Sequence, residues 1–339
     1  MARALEALLG RGTNRRAAIF AALLLTVLAV LLLCNLPAVG ALAAEMGAYL
    51  QYKFIRRALI VGALVALCAA LLGVILVLKR YSMIGDGLSH VGFGALTAAV
   101  SLGTVTADAL PGFLPQGLRM AIARLCTQIS AAPLVFTLVV VVICATLLLR
   151  VSQNSRIGGD SAIAIISTTA LAAGVIITST SSGMNIDVYN YMFGSILAME
   201  PSDVILSVIL SAVVLVLFAA FYPKIFAVTF DEAFARATGL NAGLYNLLIA
   251  VLTAVTIVVG MRIMGTMLIS SLIIFPALTS MRVFSRFRAV VICSAIVSIV
   301  CLTVGIMLSC VLSLPAGAGI VAVNLAAFLI FSLIGALRK

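Results

Sequence analysis

The chain has 339 residues, of which 64% are hydrophobic and 9% are charged, and its mean hydropathy is +1.32. This composition leaves too little polar surface to cover a water-soluble globule of that length, so it excludes a soluble enzyme and indicates an integral membrane protein in contact with lipid. The net charge of +11 does not indicate a nucleic-acid partner, because the Lys and Arg residues are scattered between apolar runs without a basic stripe or aromatic platform.

Apolar stretches of helix length recur along the chain, whereas the alternating ten-residue segments of an outer-membrane barrel do not. The sequence therefore predicts an all-α fold, a polytopic transmembrane helical bundle with about nine or ten spans. The candidate spans lie near residues 17–38, 58–78, 83–104, 132–150, 161–179, 203–222, 243–260, 264–281, 289–312 and 317–337.

Residues 1–45 are predicted to form an N-terminal extension with one apolar helix, ahead of a transmembrane domain at 46–339. The first 44 residues also resemble a signal peptide, because a basic region precedes an apolar run and a stretch of small residues. The apolar run is longer than a usual signal-peptide core, which favours an uncleaved helix. A further stretch at 183–199 is short and mixed in polarity, and a half-embedded helix there would shift the span count by one.

The distribution of basic residues predicts the orientation of the bundle. If both termini are cytoplasmic and every candidate span crosses, most of the 21 Lys and Arg residues fall on the inner side. The positive-inside rule therefore favours a multi-pass protein with its N- and C-termini in the cytoplasm.

Asp86 and His90, the single histidine of the chain, stand four residues apart inside an apolar stretch. On a helix this spacing places the carboxylate and the imidazole on one face, where they can hold a divalent cation between them. A carboxylate at membrane depth usually forms a pair, lines a wet path or binds an ion. The pair indicates ion passage, and the alternative is an internal ion pair that locks a helix interface. Ser89 is a further candidate for the ion pathway, but it lies on a small-residue face with Gly85 and Gly92, which favours a role in close helix packing instead.

A polar stretch at 226–241 predicts a short helix between two spans on the inner face. Thr229 is a candidate cap, Asp231 and Glu232 fall in the first turn, Arg236 follows within the helix, and Gly239 can end it. A docking helix and a solvated connector explain this stretch equally well. The chain has no phosphate-binding Gly-rich loop of the Walker type, so any energy from ATP would come from another chain.

Four stretches, taken in order, resemble the membrane permeases of bacterial zinc and manganese ABC importers, the metal ABC-3 permease family. Their order and spacing are more specific than any one of them. The stretches are Gly85-Asp86-Gly87-Leu88-Ser89-His90, Tyr191-Met192-Phe193-Gly194-Ser195, Asp231-Glu232-Ala233-Phe234-Ala235-Arg236-Ala237-Thr238-Gly239 and Gly265-Thr266-Met267-Leu268-Ile269-Ser270-Ser271.

The resemblance implies a transport subunit, not an enzyme, in the bacterial plasma membrane. It implies a homodimer of permeases that pairs with ATP-binding cassette subunits and receives metal from an extracytoplasmic metal-binding lipoprotein. Asp86 and His90 map onto the expected metal contacts, and residues 229–239 onto the expected ATPase-coupling helix. Two further acids, Asp187 and Glu200, are candidates for the ion pathway near the outer face, where solvated loop residues are the alternative.

The expected cargo is zinc or manganese, with no permanently bound cofactor. Imidazole and carboxylate ligands suit both ions. Zinc is favoured because the continuation Ser89-His90-Val91-Gly92-Phe93-Gly94 looks more like zinc-type members. The rival interpretation is a proton-coupled secondary carrier, in which the same pair relays protons without a partner subunit. Such carriers usually have two related halves, and the sequence has no convincing internal repeat.

Overall fold

The computed structural model describes residues 51–81, 83–103, 115–154, 159–180, 194 and 201–337. Within these ranges the secondary structure is helical and contains no β-strand, which confirms the predicted all-α fold. The helices are α1 Lys53–Leu78, α2 Ile84–Leu102, α3 Gln116–Ala131, α4 Pro133–Asn154, α5 Gly159–Thr180, α6 Pro201–Phe230, α7 Glu232–Ala237, α8 Ala242–Met264, α9 Thr266–Met281, α10 Phe287–Leu312 and α11 Ala316–Leu337.

Each predicted span after the first coincides with one of these helices, whereas the predicted span at 17–38 and the extension at 1–45 lie outside the described residues. Six of the helices are long and apolar enough to cross a membrane, and a bent pair raises this to seven. This number is lower than the number of predicted spans because two of the predicted spans do not qualify. They are α2, which carries Asp86 and His90, and α9, which has only 16 residues. Both helices are largely buried among their neighbours, so lipid does not require them to be uniformly apolar.

The centre of the bundle is formed by α1 and α8. α1 contacts α6, α8, α9 and α10, while α8 contacts α2, α4, α6 and α9 as well. The buried cluster around them consists mainly of Leu, Ile, Val and Ala side chains. By contrast, α5 and α6 leave most of their apolar surface outside the bundle. Such surface is suited to contact with lipid or with another apolar helix.

The helix α3 was not predicted from the sequence. It meets α4 at an angle of 93° across Ala132, so it runs nearly perpendicular to that span. Its sequence alternates apolar residues with polar ones such as Arg119 and Arg124, and most of its residues are exposed. A helix this polar falls below the hydropathy of a transmembrane span, which explains why a search for apolar stretches passes over it.

One end of the bundle gathers the elements that matter for the site. The start of α8 and the turn between α1 and α2 lie beside α7, as the hydrogen bonds described below establish. Because α2 begins at this end, Asp86 in its first turn lies near the same end. We refer to this region as the α7 end of the bundle.

Candidate metal site and its surroundings

A tight turn at Lys79–Tyr81 ends α1 ahead of α2. The backbone N–H of Arg80 donates to the carbonyl of Val77 at 3.1 Å, and that of Tyr81 donates to Leu76 at 2.8 Å. These two bonds form a Schellman motif, which requires a left-handed residue after the helix. Arg80 occupies that position with φ of 62°, although glycine is the residue that adopts it without strain. The turn fixes where α2 starts, and therefore where Asp86 lies.

Asp86 and His90 share one face of α2, as the sequence predicts. The carboxylate Oδ1 of Asp86 lies 3.6 Å from Nε2 of His90, and the side chains are 47% and 16% exposed, respectively. Two ligand atoms that bind one zinc ion tetrahedrally at about 2.1 Å lie about 3.4 Å apart. The observed separation is therefore close to the spacing that one bound ion requires, and it is too long for a strong hydrogen bond.

The described residues supply no third His, Cys, Asp or Glu beside this pair. Among them, no group of three or more His, Cys, Asp and Glu side chains is arranged to hold a metal ion. An ion bound by this pair would therefore have further coordination positions open for water, for groups that pass the ion on, or for residues elsewhere. The two other predicted pathway acids, Asp187 and Glu200, lie outside the described residues.

Ser89 is fully buried, and its hydroxyl donates to the backbone carbonyl of Asp86 at 2.7 Å. Burial of this kind is typical of a residue in a helix-packing interface, and a role for Ser89 in the ion pathway stays a prediction. The bond ties Ser89 to the turn of α2 that carries the carboxylate. Ser89 is therefore placed to support the position of Asp86.

Small residues let neighbouring helices approach α2 closely. A Cβ added to Gly85 would lie 3.0 Å from the side chain of Ile273 in α9, and one added to Gly87 would lie 2.5 Å from Ile163 in α5. Further along, Gly94 faces the backbone carbonyl of Ala170 in α5. The sequence predicted one small-residue face, whereas the structure uses glycines on two sides of α2, because the helix packs between α5 and α9.

The predicted short helix is present as α7, with one difference in its cap. Thr229 does not cap it, because α6 extends to Phe230 and the Thr229 hydroxyl donates back to the carbonyl of Ile225. Asp231 is the N-cap instead, and its carboxylate accepts from the N–H of Phe234 at 2.9 Å. Threonine is a residue type that caps helices, but Thr229 lies inside α6 and therefore cannot begin α7.

The other predicted residues of α7 lie where the sequence places them. Glu232 and Arg236 form an ion pair across one turn. Gly239 follows the helix with φ of 85°, and its N–H donates to Arg236 while the next N–H donates to Ala235, so it ends α7 in a Schellman motif. Ala235 is buried against α6 and α8, whereas Phe234 is 64% exposed.

A hydrogen-bonded series of side chains joins α7 to the α1–α2 turn. Lys79 Nζ donates to Oδ1 of Asn246 in α8 at 2.5 Å, and Nδ2 of Asn246 donates to Oε2 of Glu232 at 3.2 Å. Burial lowers the pKa of Lys79 below its ordinary value, and the nearby Glu232 carboxylate opposes that effect. We call these three residues the polar bridge. Sequence reasoning missed Asn246, since a single amide near a helix start carries no pattern that identifies its partners.

Two of the sequence stretches that carry the family resemblance meet in space. Gly194 adopts φ of 71°, and a Cβ added to it would lie 2.1 Å from the backbone carbonyl carbon of Met264 and 2.5 Å from the nitrogen of Gly265. Gly265 is the break between α8 and α9 and has φ of 86°. The backbone at Gly194 therefore packs directly on this break, and neither glycine can be replaced without strain.

The chain is similar to known membrane proteins of metal transport systems. The profile of the ABC 3 transport family matches residues 51–335. The manganese transport system membrane protein MntC of Halalkalibacterium halodurans is 26% identical over 274 residues, which are 81% of this chain and 85% of that protein. The high-affinity zinc uptake system membrane protein ZnuB of Haemophilus influenzae is 26% identical over 271 residues, or 80% and 94% of the two chains.

A solved structure shares the fold. The structure described as PsaBC from Streptococcus pneumoniae in complex with Fab superposes with a TM-score of 0.68 at 25% identity, covering 85% of this chain and 94% of the other. The helical bundle and these matches define a multi-pass membrane transport protein, a transport component rather than an enzyme. The chain belongs to the ABC 3 transport family, as its four motifs predicted.

Proposed function

We propose that this chain is the membrane permease subunit of an ATP-driven importer of zinc or manganese that works by alternating access. The observation that carries the proposal is the pair of Asp86 Oδ1 and His90 Nε2, which lie 3.6 Å apart at the start of α2 in a transport-family fold. One ion bound by both atoms would need only a small adjustment of either side chain. The open coordination positions suit a site that must release its cargo.

The energy for transport would come from a separate ATP-binding cassette subunit that docks on α7. This helix is fixed to the bundle through buried Ala235, while Phe234 and Arg236 remain exposed. An exposed aromatic beside an exposed Arg has the composition of an anchor at a protein interface. Docking there would place the ATPase at the end of the bundle where α2 begins. Membership of the family favours this arrangement over the proton-coupled carrier.

We further propose that an extracytoplasmic metal-binding lipoprotein delivers the ion, and that two permeases form the transporter in the bacterial plasma membrane. Exposed apolar side chains follow one face of α6, at Ile205, Ile209, Val213 and Val216. A second copy or membrane lipid would cover this face. We expect the termini to be cytoplasmic, as the distribution of basic residues indicates.

Zinc is the cargo that we expect, on the basis of the residues that follow His90. Relatives named for manganese and for zinc are equally identical to this chain, so overall similarity does not distinguish the two ions. A site with one carboxylate and one imidazole is not expected to reject manganese strongly. Selectivity would then depend mainly on the protein that delivers the ion.

The proposal is tested by reconstituting the chain in vesicles with its ATPase subunit and a metal-loaded binding protein. We expect ATP-dependent accumulation of zinc, with a weaker response when the binding protein carries manganese. Uptake that continues without the ATPase subunit but follows an imposed pH gradient would support the secondary carrier instead. Accumulation of manganese with no response to zinc would reverse the assignment of the cargo and leave the importer mechanism in place.

A further inference from the structure

The polar bridge connects three elements that are far apart in sequence. Lys79 ends α1, Asn246 lies in the first two turns of α8, and Glu232 begins α7. Asn246 is only 8% exposed, so its amide depends on these partners for its hydrogen bonds. Leaving a buried polar group without its partner is unfavourable, and the bridge therefore resists separation of the elements that it joins.

Asn246 is suited to the centre of this bridge because its amide has an acceptor at one end and a donor at the other. The acceptor Oδ1 takes the hydrogen bond of the Lys79 ammonium, and the donor Nδ2 gives one to the Glu232 carboxylate. A carboxylate in its place would repel Glu232, and an apolar residue would bond neither neighbour. The same Glu232 also pairs with Arg236 on the exposed side of α7. Movement of the exposed side of α7 would therefore be transmitted to Asn246 through the Glu232 carboxylate.

The other end of the bridge is attached to a rigid turn. Lys79 immediately precedes Arg80, which is held in the left-handed region, and the turn is closed by the N–H bonds of Arg80 and Tyr81 to α1. The carbonyl of Tyr81 then accepts from the N–H of Ile84, where α2 begins. Because backbone bonds leave this turn little freedom, displacement of Lys79 would shift the first turn of α2. That turn carries Asp86.

We propose that the polar bridge Lys79–Asn246–Glu232 couples movement of α7 to the position of Asp86 at the start of α2. This inference rests on the proposed function and adds the residues that link its two ends. Lys79 and Asn246 are positioning residues, since in this proposal they act on the site through the turn. When the ATPase moves α7, the bridge pulls the α1–α2 turn with it and changes the access of the Asp86–His90 site.

The test measures metal ions taken up per ATP hydrolysed by the complete complex in vesicles, together with its assembly and its ATPase rate. Lys79→Met removes the donor of the bridge while keeping a side chain of similar length. We expect this ratio to fall roughly tenfold, within the usual range of coupling free energies, while ATP hydrolysis and assembly persist. Lys224→Met is the matched control, because Lys224 lies over the rings of Phe221 and Tyr245 near α7 and forms no part of the bridge.

A second variant, Asn246→Asp, separates the bridge from simple support of Lys79. It keeps an acceptor for the lysine but places a carboxylate against Glu232, so we expect the same loss of coupling as in Lys79→Met. The double variant should be no worse than either single one, since both interrupt the same connection.

An unchanged ratio in Lys79→Met or Asn246→Asp, or an equal fall in Lys224→Met, would overturn the inference. Failure of both bridge variants to assemble would also overturn it, because the bridge would then be a structural support. A wild-type complex without ATP-dependent uptake would contradict the proposed function itself, which keeps the two failures distinguishable.

Discussion

The Asp86–His90 pair and the polar bridge lie toward the same end of the bundle and contain similar groups, yet they are built differently. In the pair, two ionisable side chains stand 3.6 Å apart and the carboxylate is half exposed. In the bridge, each hydrogen bond is within 3.2 Å and the central amide is buried. Buried polar groups whose hydrogen bonds are formed hold helices together. Side chains that are accessible and only loosely paired are available to bind a ligand. Substitutions in the Asp86–His90 pair and in the polar bridge should therefore affect transport differently.

The largest effect is expected at the pair. Asp86→Asn and His90→Ala should each reduce metal uptake by at least about 100-fold, because loss of a direct ligand exceeds the effect of losing its supporting residues. Both variants should still fold and insert, since the pair makes no short hydrogen bond that the bundle needs. Uptake assays and the yield of monodisperse protein measure the two quantities. Normal uptake by both variants would remove the pair from the transport path, and loss of folded protein would favour the structural ion pair.

The next largest effect is expected where α1 packs closely on α9 through backbone contact rather than polar groups. A Cβ at Gly73 in α1 would lie 2.0 Å from the backbone oxygen of Ile273 in α9, which cannot move independently. We expect Gly73→Ala to destabilise the protein by about 3 kcal/mol, as overpacked cores do. Gly117→Ala in α3 is the control, because a Cβ there meets nothing within 4 Å.

The control substitution at Gly117, in the first turn of α3, should change stability by less than about 0.5 kcal/mol, since the position is open and not in the helix interior. Thermal unfolding in detergent checks both variants. Equal melting temperatures for Gly73→Ala and the wild type would show that α1 and α9 can separate without cost.

A smaller effect is expected from the exposed side of the bridge. Reversing the charge of Glu232 or Arg236 breaks their ion pair, and at Glu232 it also removes the acceptor of Asn246. We expect Glu232→Lys to uncouple ATP hydrolysis from uptake more strongly than Arg236→Glu does, since only the former interrupts the bridge. Uptake and hydrolysis rates, together with co-purification of the ATPase subunit, measure this. The reverse order would indicate that α7 acts mainly through its docking surface. A cysteine at the exposed position 234 that is labelled only from outside the cell would contradict the proposed orientation.

The smallest effect concerns pH. Burial holds the pKa of Lys79 below its ordinary value of 10.5, so just below that pH the unfolded chain binds more protons than the folded one. Stability contributed by this group therefore rises with pH through that interval. The melting temperature of the wild type relative to Lys79→Met should increase as the pH rises toward 10.5. A relative decrease would mean that the charged lysine is favoured by its partners more than it is disfavoured by burial.

The site was predictable where its residues are near one another in sequence. Asp86 and His90 are four residues apart, and helical periodicity alone places them on one face. The composition of α7, with its acids at the start and Gly239 after its end, likewise predicted a short helix. The N-cap was assigned wrongly to Thr229, because several residues of the right type precede the helix and only the end of α6 decides among them.

The sequence by itself determined the membrane class, nearly all of the described helices, the proximity of Asp86 to His90 and the family, since each depends on composition, local periodicity or ordered motifs. Tertiary structure alone decided that Lys79 meets Asn246, 167 residues away, and that Gly194 packs on the break at Gly265. It also decided that α3 turns away from α4. These contacts arise when helices pack, and a single amide or glycine has no periodic signal that names its distant partner.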